Sequence, residues 1–369
     1  MTDAVSIVAR ALRDPAGSLA HGSNGYADDL VAAASHHRVL LLLGWRLRAA
    51  GMLDEWPGRF VHAFQVAERN AIAVDCVRQI ELAMVLAELH EAGVRALLFK
   101  GAAVAHTHYP APHVRVRADT DLLIGASEVN NLEAVIGRLG YGRPAETSGR
   151  LVSYQSHYHK TDGYGVTHAF DVHWRISNLQ SLANRFTHAE LWEGRVPVRA
   201  LGKPAVTVDA ASSLLLALVH RAGHHPNSQN LLWIYDLHVL GHELTAGQVR
   251  QVQEIAADRG LARLVADGLA TARDCFGDTS LESVIEALRS RPPRPDDVPA
   301  IRESSTLASV LRLDLEALPT WRERARLMRE HLFPPAAYMR QRYPRWPVAL
   351  LPLAYVHRIA RGAPAWLRR

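Results

Sequence analysis

The chain has 369 residues, 48% hydrophobic and 21% charged, which is enough apolar surface for a proper core and too long for one ordinary domain. Its 42 Lys and Arg against 37 Asp and Glu give a net charge of +5, yet residues 301–369 alone hold 13 arginines and 5 acids, so the rest is slightly acidic. That distribution excludes a uniformly cationic nucleic-acid binder; two cysteines (Cys76, Cys275) exclude a disulfide framework, and no apolar stretch is long enough to span a membrane.

Residues 1–20 lack the apolar block of a signal peptide, so a soluble cytoplasmic protein is expected. Residues 1–93 read as helical. Val39–Arg48 and Val74–Leu89 carry apolar residues at three- and four-residue spacing; Gly44 and Gly51 punctuate the first stretch and Gly93 closes the second. Val94–Phe99 is a short run of strand type, Asp121–Ile124 lies in a second, and Ala169–Ile176 alternates as a third. Glu128–Leu139 is a helical stretch closed by Gly140. From Asp209 onward five helices are expected: Ala210–Gly223, Leu231–Glu243, Ala246–Arg259, Leu261–Cys275 and Leu281–Ser290. Asp209 caps the first, and Pro226 lies just past its end. The proline-rich stretch Arg291–Pro299 reads as a linker. The expected fold class is α+β, a small mixed-sheet core flanked by N-terminal and C-terminal helical regions. The divisions fall at residues 1–93, 94–205, 206–290 and 291–369.

Three features in the core bear on chemistry. Leu97-Leu98-Phe99 runs into Lys100-Gly101-Ala102, a strand entering a glycine turn and a helix, where outward N–H groups favour anions. In Asp119-Thr120-Asp121, residues two apart share a strand face, so the two carboxylates converge while Leu122 and Ile124 face the core. A hard divalent cation is the ordinary reason to keep two such charges together, although a lone Asp-x-Asp is more often a pair of solvated aspartates. In Phe170-Asp171-Val172-His173-Trp174, the apolar residues take one face and Asp171 and His173 the other; Asp171 there is a surface residue or a third metal ligand.

In this order on one α/β unit, the three features resemble the DNA polymerase beta-type nucleotidyltransferase superfamily. They are more closely similar to a family of uncharacterised bacterial nucleotidyltransferases in which Lys precedes the glycine turn. Leu98 to Ala103, Arg117 to Leu123, Phe170 to Trp174 and Leu232 to Asp236 fall in the expected order, and the resemblance covers about residues 35–345. Two departures stand out: Ala102 replaces the Gly or Ser usual after the turn glycine, and the loop from Gly101 to Asp119 is long.

The resemblance implies a nucleotidyltransferase core in which Asp119, Asp121 and Asp171 are catalytic and hold Mg²⁺, with two ions expected, against an NTP, ATP above the others. Lys100, Gly101 and Ala102 would neutralise phosphate, with Arg115 and Arg117 assisting. His220 and His224 sit one turn apart, a spacing that suits zinc or a hydrogen-bonded helix seam; with Asp236 on the next helix they would contact nucleotide or acceptor. The implied reaction transfers an NMP to a hydroxyl or phosphate on a small molecule, sugar, peptide or protein, releasing pyrophosphate. Two alternatives stay open: an RNA-directed enzyme docking through the basic tail, and a non-catalytic nucleotide-binding scaffold. Nucleic acid is the less favoured partner. The apolar, arginine-flanked segment 345–358 either packs on the body or meets a membrane surface.

Overall fold

Apolar residues at helical spacing wind the N-terminal residues into four helices: α1 (Asp3–Arg13), α2 (Asn24–His36), α3 (Leu40–Ala49) and α4 (Gly58–Glu91). The computed structural model describes residues 3–16, 24–144, 151–224, 228–298 and 306–367. Helix α4 begins far upstream of the expected Val74, because Phe60 and Phe64 in its first turns are buried beside α3. Gly44 does not interrupt α3. A Cβ there would come within 2.2 Å of the Phe64 ring, so the glycine lets the two helices close on each other. Gly51 and Gly93, both at positive φ, do stand at the helix ends.

Six strands form one mixed sheet in the order β3-β4-β2-β1-β6-β5. They are β1 (Leu97–Phe99), β2 (Thr120–Leu123), β3 (Gln155–Thr161), β4 (Thr167–His173), β5 (Val196–Pro197) and β6 (Val206–Thr207). β2 runs antiparallel to β1 and parallel to β4, and β3 pairs antiparallel with β4. β4 ends at His173, short of the expected Ile176. β3 had no counterpart among the expected strands; its turn is closed by Asp162 Oδ1, which accepts from the amides of Tyr164 and Val166. Two helices belong to the core, α5 (Lys100–Thr107) and α6 (Val129–Arg138).

Alternation divides the sheet's apolar residues between two cores. Leu98, Leu122, Phe170, Val172 and Tyr158 pack against Leu86 and Leu89 of α4 and Leu132 and Ile136 of α6. Leu97, Phe99 and Leu123 join a larger cluster shared with α1 to α4 and the helices that follow the sheet. Those helices are α7 (Gln180–Ala183), α8 (His188–Glu193), α9 (Ala210–His224), α10 (Leu231–His242), α11 (Ala246–Asp258), α12 (Ala262–Phe276) and α13 (Glu282–Arg289). The last five lie within two residues of their expected bounds. Asp209 caps α9 by accepting from the Ser212 amide. Pro226 lies outside the described residues, as does Pro299 at the end of the expected linker. Residues 291–298 form no helix or strand, yet they pack on the body: Arg294 donates to Ala257 O, and the Val298 amide to Gly260 O.

Four further helices close the chain: α14 (Leu307–Ala317), α15 (Trp321–Leu332), α16 (Ala336–Arg342) and α17 (Leu351–Leu367). Two acids, Asp314 buried and Glu330 half-buried, tie them to the core. Glu330 accepts from the amides of Leu151 and Val152, and Asp314 accepts from the Gln180 amide at 2.7 Å. Burial pushes the Asp314 carboxyl up to about 6, against the pull of that hydrogen bond. A carboxyl whose folded pKa exceeds its unfolded one stabilises the fold while protonated, and that contribution is lost as pH rises through the folded value. The attachment of α14 is therefore expected to weaken between about pH 4 and pH 6. Asp314→Asn keeps an acceptor without the charge, so it should stabilise the attachment at about pH 8 by roughly 1–2 kcal/mol and change little at about pH 4. Limited proteolysis across that pH range checks this.

Candidate active site

The ladder register builds the constellation. Asp121 stands opposite Asp171 on β4, and Leu123 opposite His173; on β3, His157 stands opposite Asp171 and Gln155 opposite His173. Opposed residues share a face, so Asp121, Asp171, His173, His157 and Gln155 come together at one end of the sheet. Asp119, two residues before Asp121, stands exposed beside them. Asp121 and Asp171 are thus on one face, and Asp119, just ahead of the strand, lines the same cleft.

Lys100 opens α5 at φ +52, a left-handed conformation that costs a non-glycine residue on the order of 1–2 kcal/mol. Its ammonium lies 2.8 Å from Asp121 Oδ1 and 3.2 Å from His173 Nε2, and His173 Nε2 lies 3.0 Å from the same carboxylate oxygen. Both bonds to Asp121 go to Oδ1, leaving Oδ2 outside them. Burial would raise the Asp121 carboxyl, but the Lys100 charge and the His173 hydrogen bond outweigh it and hold the group well below the usual range. Desolvation, then the charges of Asp121 and Asp171, push Asp119 the other way, above its ordinary value. His173 is buried edge-on to the Phe99 ring, and burial followed by the Lys100 charge favours its neutral form.

Asp171 is held from the far side. His157 Nδ1 bonds Asp171 Oδ1, and Gln155 Nε2 lies 3.1 Å from His157 Nε2. A carboxylate oxygen only accepts, so His157 Nδ1 donates to Asp171. The sequence reading missed both residues because they lie on a polar strand with no apolar alternation to mark it.

Asp119, Asp121, Asp171, His173 and Gln155 line a cleft of about 450 Å³ between the sheet and helices α9 and α10. Lys100, Gly101, Arg115, Arg117, His220 and Asp236 all reach its wall, whereas Ala102 is fully buried in the core beneath it. The two arginines expected to assist phosphate binding are already engaged. Arg115 grips Asp236 with both prongs of its fork, at 2.8 and 2.5 Å, and Tyr109 donates to the same carboxylate at 2.8 Å. Burial works against the Arg115 charge, but Asp236 more than offsets it and the net shift is upward. Arg117 pairs with Asp75 of α4 and donates to Pro112 O. A Cβ on Gly101 would lie 2.6 Å from Arg115 Nη1, so this glycine is required by the guanidinium packed over it and not by a positive φ.

Two other cations line the cleft without an ion pair among the described residues, Arg38 and Arg221. Arg221 donates to Ser228 O, its buried Nε has no hydrogen-bond partner among the described residues, and desolvation alone pushes its pKa down. A half-buried guanidinium with donors to spare suits an anion entering the cleft. His220 and His224 lie on the same helix, their rings tilted against each other with centroids 5.0 Å apart. Among the described residues, the group whose ligand atoms could share one ion is Asp121, Asp171 and His173, all within 4.8 Å of one another; His220 and His224 belong to no such group. Converging carboxylate oxygens suit a hard divalent cation, which would also relieve the like-charge part of the upward shift that desolvation and then Asp121 and Asp171 give Asp119.

A family model described as "Uncharacterised nucleotidyltransferase" matches residues 24–277, from α2 through the end of α12 and including every strand. No curated protein matches the chain.

Proposed function

The chain belongs to that nucleotidyltransferase family and is an enzyme of its class; from this premise we propose that it transfers an NMP from an NTP, ATP first, to a hydroxyl or phosphate acceptor, releasing pyrophosphate. The observation that carries the reading is the placement of Asp121 and Asp171 side by side on parallel strands at the head of a cleft with spare cationic capacity. Residues 94–205 would carry the chemistry, and residues 206–290 would close the cleft over it.

Asp119, Asp121 and Asp171 would hold Mg²⁺, which when bound neutralises triphosphate charge and sharpens the electrophile at the α-phosphorus. Arg221 and Arg38 would take the β- and γ-phosphates, a role the sequence reading gave to Arg115 and Arg117. Lys100, paired with Asp121 at the cleft wall, would turn to phosphate as the carboxylate changes partner. His157 would fix the rotamer of Asp171 so that its other oxygen faces the acceptor hydroxyl and accepts its proton. His220 would border the acceptor.

The direct test is Mg²⁺-dependent pyrophosphate release from each of the four NTPs, with the acceptor identified by the mass of the product. Release that depends on Asp171 supports the reading, and an NTP bound without any turnover across acceptor classes would make the chain a sensor. Arg221→Gln is expected to raise KM for the NTP about tenfold with a smaller change in kcat, as removal of a ground-state phosphate contact does. Unchanged KM would remove Arg221 from the triphosphate site.

A further inference from the structure

Helix α17 is apolar on two sides, and the fold uses only one of them. Ala354 is fully buried, Tyr355 donates to Pro334 O at 2.7 Å, and Arg358 donates to His331 O at 2.9 Å, so this side packs on α15, α16 and the segment between them. The opposite side carries Leu353 (56% exposed), Val356 (63%) and Ala360, spaced three and four residues apart and continued upstream by Val348 and Leu350. A stripe of this kind is normally covered.

Charge indicates what covers it. Between His331 and Arg369 the chain has seven arginines and no acidic residue. Arg340, Arg342, Arg345 and Arg361 are exposed on α16, α17 and the turn between them, with Trp346 and Phe333 also reaching solvent. Next to them lies a second cavity of about 660 Å³, where Arg342, Arg358 and Arg361 meet the apolar side chains of Leu311, Leu332 and Ile359. Exposed aliphatic residues, aromatic side chains and unopposed arginines on one helical unit match the boundary between acyl chains and anionic headgroups. A cytosolic protein partner would need an apolar patch ringed by acids of its own; a bilayer with anionic lipid supplies both properties over any area. No helix among the described residues is long and apolar enough to cross a membrane, so contact would be peripheral.

We propose that α16, α17 and the turn between them dock the protein onto anionic membrane surfaces, with Leu353 and Val356 entering the acyl boundary and Arg340, Arg342, Arg345 and Arg361 pairing with lipid phosphates. The test is flotation of the full chain with vesicles of phosphatidylcholine alone or with about 30% phosphatidylglycerol, at about 0.1 M salt. Binding at least tenfold stronger to the anionic vesicles is expected, falling tenfold or more in Leu353→Glu/Val356→Glu and in Arg342→Glu/Arg345→Glu. Because these side chains are exposed, the variants should keep the melting temperature of the parent chain, and a melt of each confirms that lost binding is not lost folding. Equal binding to both vesicle types, or variants that bind like the parent, would overturn the proposal. So would a parent dimer that Leu353→Glu/Val356→Glu converts to monomer, since the stripe would then belong to a second copy of this chain.

Discussion

Asp171→Asn is expected to lower pyrophosphate release by about 10³-fold while leaving the melting temperature within a degree or two of the parent chain. The amide keeps an oxygen to accept from His157 Nδ1, so the local hydrogen bond survives. What it loses is the negative charge and the capacity to take a proton. Asp171 is only partly buried, so little stability depends on it. Asp121→Asn should be equally inactive but also less stable, because the Lys100 ammonium, 9% exposed, would lose its counter-charge. The pair of variants therefore separates chemistry from folding: both lose turnover, and only Asp121→Asn loses melting temperature. If Asp171→Asn kept a tenth or more of the parent rate, the proposed role for the facing carboxylates would be wrong.

The second large effect concerns the buried fork of Arg115. Asp236→Ala would leave its guanidinium, with a side chain only 7% exposed, without a counter-charge, and the Tyr109 hydroxyl without an acceptor. Removing one partner of a buried pair costs about 3–5 kcal/mol, or about 5 °C in the melting temperature of a chain this long. Activity should fall with it, because Arg115 packs on Gly101 and so links the turn before α5 to α10. The triple variant Tyr109→Phe/Arg115→Met/Asp236→Leu leaves no group unpaired, and its melting temperature is expected to recover by more than half. Thermal melts of the single and triple variants decide the matter: equal losses in both would mean that the site depends on shape and not on charge pairing.

Where apolar periodicity is strong, the sequence already contained the fold. Helices α9 to α13 each bury one face rich in Leu, Val and Ala, and β4 alternates cleanly, so both were visible in outline. β3 reads Gln-Ser-His-Tyr-His-Lys-Thr and buries little but Ser156 and Tyr158, so neither the strand nor His157 carried a hydrophobic signal. β5 and β6, two residues each, were too short to register. The pairing of Arg115 with Asp236 and of Arg117 with Asp75 joins residues far apart in the chain, and nothing local announces it. One cue was present and went unused: Arg221 sits in Leu218-Val219-His220-Arg221-Ala222, and a charge inside an apolar helix next to a candidate site residue points to a cleft wall. The glycine-turn motif was legible, but the use of Lys100 was not, because its partner Asp121 is set by strand pairing.

That pairing has a consequence for how activity can be lost. Asp121 faces Asp171 only because β2 and β4 are aligned rung for rung; a slip of one residue would bring Phe170 or Val172 opposite it and turn the site's side chains into the core. Between the aligned and slipped arrangements there is no half-assembled centre that turns over slowly. A preparation that has lost half its turnover on mild heating should accordingly be a mixture of fully competent and wholly inert molecules, with unchanged affinity for substrate in the competent half.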